Sequence, residues 1–212
     1  MRISALAAEA GLPVATVKFY LRERLLHPGI ATSATQANYD ESHVRRLRVI
    51  RALTGSVGLS VQQARTILEL IDDPGDDLYT TLGRAVSALP PETEPHEASV
   101  DDSDPYPRAR KALEALGQVY DPGFAAVAQL EAALQATEAA GMPLSEDRLL
   151  EYGRHLREIA AYDLERMPPE PHAAVEYTVL GTALYEPVLL ALRRLAHQGV
   201  AAQRVREPAP TE

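Results

Sequence analysis

Residues 11–26, Gly11-Leu12-Pro13-Val14-Ala15-Thr16-Val17-Lys18-Phe19-Tyr20-Leu21-Arg22-Glu23-Arg24-Leu25-Leu26, decide how the chain reads. Gly11 closes a short helix marked by Ile3, Leu6, Ala7 and Ala10, with Ser4 near its cap. Pro13 stands where a second helix can start, because its fixed φ and missing N–H are harmless in a first turn. Val14, Val17, Leu21 and Leu25 then recur at helical spacing and predict an inward stripe. Thr16, Phe19 and Glu23 fall on the outward face, with Lys18 and Arg22 on one flank of the stripe and Tyr20 on the other. Two short helices joined by Gly-Leu-Pro make a helix-turn-helix, whose second helix enters a major groove. A phenylalanine beside threonine and lysine suits a face that meets thymine methyls, with Lys18 and Arg22 on phosphates. A surface ring half covered by a neighbouring loop explains Phe19 as simply.

The flanking residues extend this head. His27 to Asn38 is rich in Pro, Gly, Thr and Ser and predicts a turn followed by a small two-stranded loop. Asp40 can cap a third helix with Val44, Leu47 and Ile50 inward. Ser60-x-x-Gln63 is a capping box for a fourth, which carries Val61, Ala64, Ile67, Leu68 and Ile71 on its apolar side. Net charge over the chain is −9, which argues against a nucleic-acid partner until the chain is divided. Residues 1–71 hold Lys18 and eight arginines against five acids, a net of +4, so the other 141 residues carry −13. That asymmetry points to a polyanion-binding module joined to something else.

Asp72-Asp73-Pro74-Gly75 ends the fourth helix, and a short one follows over Asp76 to Leu89. Pro90 to Pro107, PPETEPHEASVDDSDPYP, holds five prolines and six acids and no Lys or Arg, the composition of an extended linker. Limited proteolysis is expected to cut there first and release a stable C-terminal fragment; preferred cleavage within 123–198 would overturn the division. Helical periodicity then predicts four more helices, at 108–119, 123–140, 145–166 and 172–198. Absence of cysteine excludes disulfides, thiolate metal sites, iron–sulfur clusters and cysteine nucleophiles. The apolar run Ala173 to Leu195 is interrupted by Glu176, Glu186 and Pro187, so no membrane span is expected and a soluble cytoplasmic protein is the default. No nucleophile elbow, phosphate loop or His-Glu-x-x-His marks an enzyme.

The order Arg2-Ile3-Ser4-Ala5-Leu6-Ala7, Gly11 to Tyr20, Leu25-Leu26-His27-Pro28, Tyr39 to Ile50 and Gly58-Leu59-Ser60-Val61 resembles the winged-helix head of the MerR family of transcription regulators. The resemblance covers residues 1–71. It implies a homodimer on a palindromic promoter element in double-stranded DNA, which it distorts so that RNA polymerase can use an over-long spacer; such readout costs several kcal/mol of deformation. Carried onto this sequence, it makes Thr16, Lys18 and Tyr20 groove and backbone contacts. Lys18 stands where the family usually has Arg, keeping charge and losing the planar fork. The family's Gly-Tyr-Arg-x-Tyr wing is replaced by Thr35-Gln36-Ala37-Asn38-Tyr39, so Ser33, Thr35, Gln36 and Asn38 are left as neutral donors, with Tyr39 as a further expected DNA contact. Arg24 replaces a glycine common before Leu-Leu. On the third helix, Arg45 and Arg46 are read as phosphate clamps, while Arg51 suits a solvated face.

The expected architecture is all-α: a winged helix-turn-helix head with a short two-stranded wing (1–71), a connecting helix (72–89), the linker (90–107) and a helical dimerisation and effector domain (108–212). The connecting helix offers only five apolar positions, so most of the dimer interface is assigned to Ala173–His197, apolar over most of its circumference and kinked at Pro187. Tyr120, Phe124, Tyr152 and Tyr177 can line a pocket for a small organic effector, although Tyr at core edges and seams is commoner. Glu151, His155 and Glu158 share a face, as do His172 and Glu176, but surface ion pairing suits them better than a metal, and no cofactor is expected. Two other classes stay open: a helical interaction module whose basic head binds an acidic protein, and, disfavoured, an uncharacterised enzyme.

Overall fold

Helices form where the apolar spacing predicts them, and in a computed structural model the described residues are 1–33, 36–89 and 104–206, with side chains through 203. The chain divides into two compact units, Met1–Glu69 with Glu176–Glu212, and Leu70–Val175.

In the first unit, α1 (Ile3–Glu9) and α2 (Val14–Arg22) are joined by Ala10 to Pro13, where Gly11 adopts a left-handed φ of 65°. A two-stranded antiparallel wing follows, β1 (Ile30–Ser33) and β2 (Gln36–Asn38), with Ile30 opposite Asn38 and a bulge between Ala31 and Ser33. Thr35, expected as a wing contact, lies outside the described residues. Asp40 caps α3 (Glu41–Arg51): its carboxylate accepts from the Ser42 N–H at 2.9 Å, while His43 Nδ1 accepts from the Asp40 N–H at 3.2 Å. Ser60 and Gln63 close the predicted box at the start of α4 (Val61–Asp72), with bonds of 3.0 and 3.2 Å. Between α3 and α4 the chain widens into a five-residue π-helical turn, Ala52–Ser56, which no spacing in the sequence announces. Leu6, Val17, Leu25, Leu26, Leu47, Ile50, Leu53, Ile67 and Leu68 are almost fully buried. Each stabilises the unit by roughly 1.5–3 kcal/mol of apolar burial.

The inward stripe of α2 is turned from the predicted one. Val14 is 36% exposed, whereas Tyr20 is only 9% exposed and its hydroxyl lies 3.5 Å from Thr54 Oγ1 in the π-helical turn. Beyond α2, Arg24 holds a left-handed φ of 58°, the conformation that glycine adopts without a steric cost. A glycine at this place would relieve that backbone cost. Arg24→Gly is expected to raise the unfolding free energy by about 1 kcal/mol, readable by denaturant titration. A loss of stability would show that the arginine side chain outweighs the strain.

The second unit contains α5 (Leu78–Ser87), α6 (Pro107–Ala115), α7 (Ala125–Ala139) and α8 (Glu146–Leu164). Pro107 opens α6 at a first-turn position, and the buried Glu131 of α7 caps it by accepting from the Ala109 N–H at 2.8 Å and Arg108 Nη1 at 3.0 Å. Gly153 lets α8 approach Leu116, since a Cβ there would meet Leu116 Cδ2 at 2.2 Å. Asp104 was expected within the linker; it is instead tied to this unit by the Tyr120 hydroxyl at 2.5 Å and Arg110 Nε at 2.7 Å. Residues 90–103 of the linker lie outside the described residues.

The last helix, α9 (Pro171–Arg206), runs as one 36-residue element through Pro187, longer than the predicted 172–198. Its segment Pro171–Gln203 is long and apolar enough, by composition alone, to cross a membrane, although Glu176, Glu186 and Pro187 interrupt it. Every residue from Tyr185 to Gln203 is exposed in the single chain.

Candidate nucleic-acid interface

The second helix of the head presents a cationic face because its stripe turns Val17 and Tyr20 inward. Lys18 is exposed and makes no ion pair with the described residues, and the half-buried Thr16 hydroxyl has no hydrogen-bond partner among them. Phe19 is half-buried. Its ring is covered from its own helix, with the Arg22 guanidinium 5.3 Å above the centroid and the Tyr20 ring 5.8 Å away. Arg22 itself stays largely exposed and approaches Glu23 at 3.7 Å. In a desolvated groove the Arg22–Phe19 stack keeps the charge while flattening the surface.

Three residues expected to touch DNA lie inside the head. Tyr20 packs in the core as above. Tyr39 is 8% exposed, its ring edge-on to His43 at 5.1 Å and its N–H donating to the Met1 carbonyl at 2.8 Å. Arg46 is 9% exposed, and its Nε donates to the Leu25 carbonyl at 2.9 Å, satisfying an acceptor just beyond α2. In these positions they brace the reading helix and the wing. Helical phase alone does not separate a bracing arginine from a solvent-facing one two positions away.

Arg45 remains outward and within 4.0 Å of Glu41, a contact weak enough for a phosphate to displace. Arg48 and Arg51 are exposed on the same helix. On the wing, Gln36 and Asn38 are exposed neutral donors. Arg2 adds a cation that the sequence reading left out: its Nη1 lies 3.5 Å from Thr32 Oγ1 on β1. The signal for it was the head's own excess of charge. Hydrogen bonds from the Ser42 hydroxyl and N–H hold the Asp40 carboxyl well below the usual carboxylate range, so the cap that starts α3 stays ionised. That depressed acid favours folding above the ordinary carboxylate range, and the contribution fades as pH falls below it.

The expected effector residues stand on different elements. Tyr120 is held by Asp104 and lies under Arg110, whose guanidinium is 4.7 Å from the ring centroid; burial first, and then the Asp104 carboxylate, push the phenol up. Phe124 is half-buried at the start of α7, Tyr152 is exposed on α8 and Tyr177 is half-buried on α9. Among the described residues no group of three or more His, Asp or Glu is placed to hold a metal; His155 instead pairs with Glu151 at 3.1 Å and Glu158 at 3.5 Å.

Residues 1–71 match the family model described as MerR HTH family regulatory protein. Over its whole length the chain is similar to SCO5550, a candidate transcriptional regulator from Streptomyces coelicolor A3(2) whose crystal structure is known. The two are 34% identical, the match covers 99% of this chain and 100% of the other, and the TM-score is 0.73. The chain belongs to the MerR family. No curated protein matches it significantly. The MerR head, with its wing after the first two helices, makes this protein a DNA-binding regulator of transcription. Similarity to SCO5550 extends through the helices beyond the head, so the MerR head and the C-terminal region match as one chain.

Proposed function

We propose that the protein is a homodimeric regulator that binds a palindromic promoter element and distorts it for RNA polymerase, under the control of a small organic effector. The observation that carries the reading is α9. Nineteen consecutive residues, 185–203, are exposed in one subunit, among them Tyr185, Val188, Leu189, Leu190, Leu192, Leu195 and Val200. Soluble chains rarely leave such a surface uncovered. A bilayer is a poor cover, because no charge-free stretch of the helix exceeds nine residues, about 14 Å, against a hydrocarbon core of about 30 Å. A second copy supplies the same surface by twofold symmetry and pairs two reading helices with two half-sites.

On the DNA, Thr16 and Phe19 are placed on base edges, and Lys18, Arg22, Arg45, Gln36 and Asn38 on the backbone. Two α2 helices bound one helical turn apart would lie about 34 Å from each other. Footprinting of the full-length protein is expected to show two symmetric half-sites, with enhanced cleavage between them where the duplex is bent. Thr16→Ala should relax base preference by about 1–3 kcal/mol at one position of each half-site. Arg45→Ala should weaken every sequence alike and lower the salt slope by about 1 per subunit. Equal losses at all sites from both substitutions would remove α2 from base reading, and an asymmetric single half-site would remove the dimer. An acidic protein partner would instead leave the duplex unprotected.

A further inference from the structure

A cleft of about 260 Å³ opens within the second unit between α6, α7 and the start of α8. Its floor is apolar, from Ala112, Ala115, Leu134, Leu144 and Leu149, and its rim is charged, from Arg108, Lys111, Glu138 and Glu146. None of the four aromatic residues expected to hold an effector lines it.

The charges on that rim are not equivalent. Arg108 is held between two carboxylates, Nη1 to Glu131 at 3.0 Å and Nε to Glu138 at 2.8 Å, and both partners raise its basicity, Glu138 first. Glu131 is buried, so the guanidinium is fixed from within the fold, and its Nη2 group is not used by either acid. Lys111, one turn along the same face of α6, is exposed and makes no ion pair with the described residues. Glu146, in the first turn of α8, likewise makes none. Arg108 is shared by two acids, so the rim together with Glu131 carries a net charge of −1, and among the described residues Lys111 and Glu146 are the rim charges without an ion pair, over an apolar floor. Its volume falls just below the roughly 300–1,000 Å³ of pockets that bury drug-sized ligands.

The geometry points to a site for a zwitterionic amino acid with an apolar side chain, its carboxylate on Lys111 and Arg108 Nη2, its ammonium on Glu146 and its side chain over Leu134, Leu144 and Leu149. The assignment deepens the effector reading proposed above and rests on it only for the consequence at the operator. A simple organic anion would leave Glu146 opposed by nothing, and a cation would leave Lys111 so. The ligand that satisfies both carries both charges.

Titration calorimetry on the full-length protein with L-phenylalanine, N-acetyl-L-phenylalanine and L-phenylalaninamide tests it. The free amino acid should bind, and removing either charge should weaken binding by about tenfold or more. Glu146→Gln should weaken phenylalanine and its amide while sparing the N-acetyl form, and Lys111→Gln should weaken phenylalanine and its N-acetyl form while sparing the amide. Both side chains are exposed, so both variants are expected to fold. Absence of binding by phenylalanine and by leucine at millimolar concentration overturns the site. So does binding that survives both substitutions, or equal binding of all three compounds. If phenylalanine binds as described and operator affinity is unchanged, the cleft stands and its role as the effector site fails.

Discussion

Leu192→Glu is expected to convert the protein from dimer to monomer in sedimentation or light-scattering measurements at micromolar concentration. Tyr185, Val188, Leu192 and Leu195 follow one another at spacings of three, four and three along α9, the rhythm with which one helix seats against another. All four are about half exposed or more in the isolated subunit. Covering a leucine is worth roughly 1.5–3 kcal/mol, and a symmetric seam counts each substitution twice, so the dimer constant should weaken at least a hundredfold before the buried charge is considered. Because a monomer reaches a single half-site, operator affinity should fall with it, while non-specific binding by the head persists. A dimer unchanged by Leu192→Glu would place the seam on another surface.

Gly29→Ala is expected to be the most damaging small substitution in the head. Gly29 lies at the base of the wing, beside the Ile30–Asn38 pair. A methyl group there would stand 2.6 Å from the Asn38 carbonyl oxygen and 2.9 Å from Tyr39 Cε1. The first contact is backbone of the facing strand, so relief requires the strands to part, at a cost of about 1–3 kcal/mol. Affinity for duplex DNA should drop about tenfold or more through loss of the wing, with helical circular dichroism unchanged. Gly83→Ala serves as the control, since a Cβ there meets nothing within 4 Å and a helix interior favours alanine by about 0.8–1 kcal/mol. An intact wing in Gly29→Ala, seen as unaltered DNA affinity, would mean that β1 has room to move.

The caps of α3 and α4 were legible because each rests on neighbours in sequence, whereas α1 starts from Arg2 without the cap expected near Ser4. Asp40 needs only Ser42 and His43, and Ser60 needs only Gln63, so type and spacing suffice. Tyr20 and Val14 exchanged their expected places for a tertiary reason. What makes a pocket for Tyr20 is Thr54, 34 positions away in a turn without a sequence signature. Arg46 was read as a phosphate ligand because its target, the Leu25 carbonyl, is a backbone group and leaves no mark in the sequence. Glu131 could have been noticed as a lone acid in the apolar run Ala125 to Leu134, although such an acid faces solvent more often than it caps a distant helix. The cleft was illegible for the same reason: its rim joins residues 108–111 to residue 146 through packing alone.

The π-helical turn at Ala52–Ser56 has a bearing on which insertions and deletions the head can accept. A turn of that kind holds one more residue than the α-helix it interrupts. Removing one residue, Gly55 for example, would let α3 continue as regular helix, and local hydrogen bonding would improve. The widened turn would absorb that loss and leave the residues beyond it in phase, whereas a second deletion would turn them by about 100° around the helix axis. Leu53 is fully buried on one side of the turn, and Leu59, Ile67 and Leu68 are buried beyond it. A single deletion would therefore leave Leu53 and the other three in the core, and only a second would swing those three out of phase with it, so the head should accept the loss of one residue from Ala52–Ser56 far better than the loss of two.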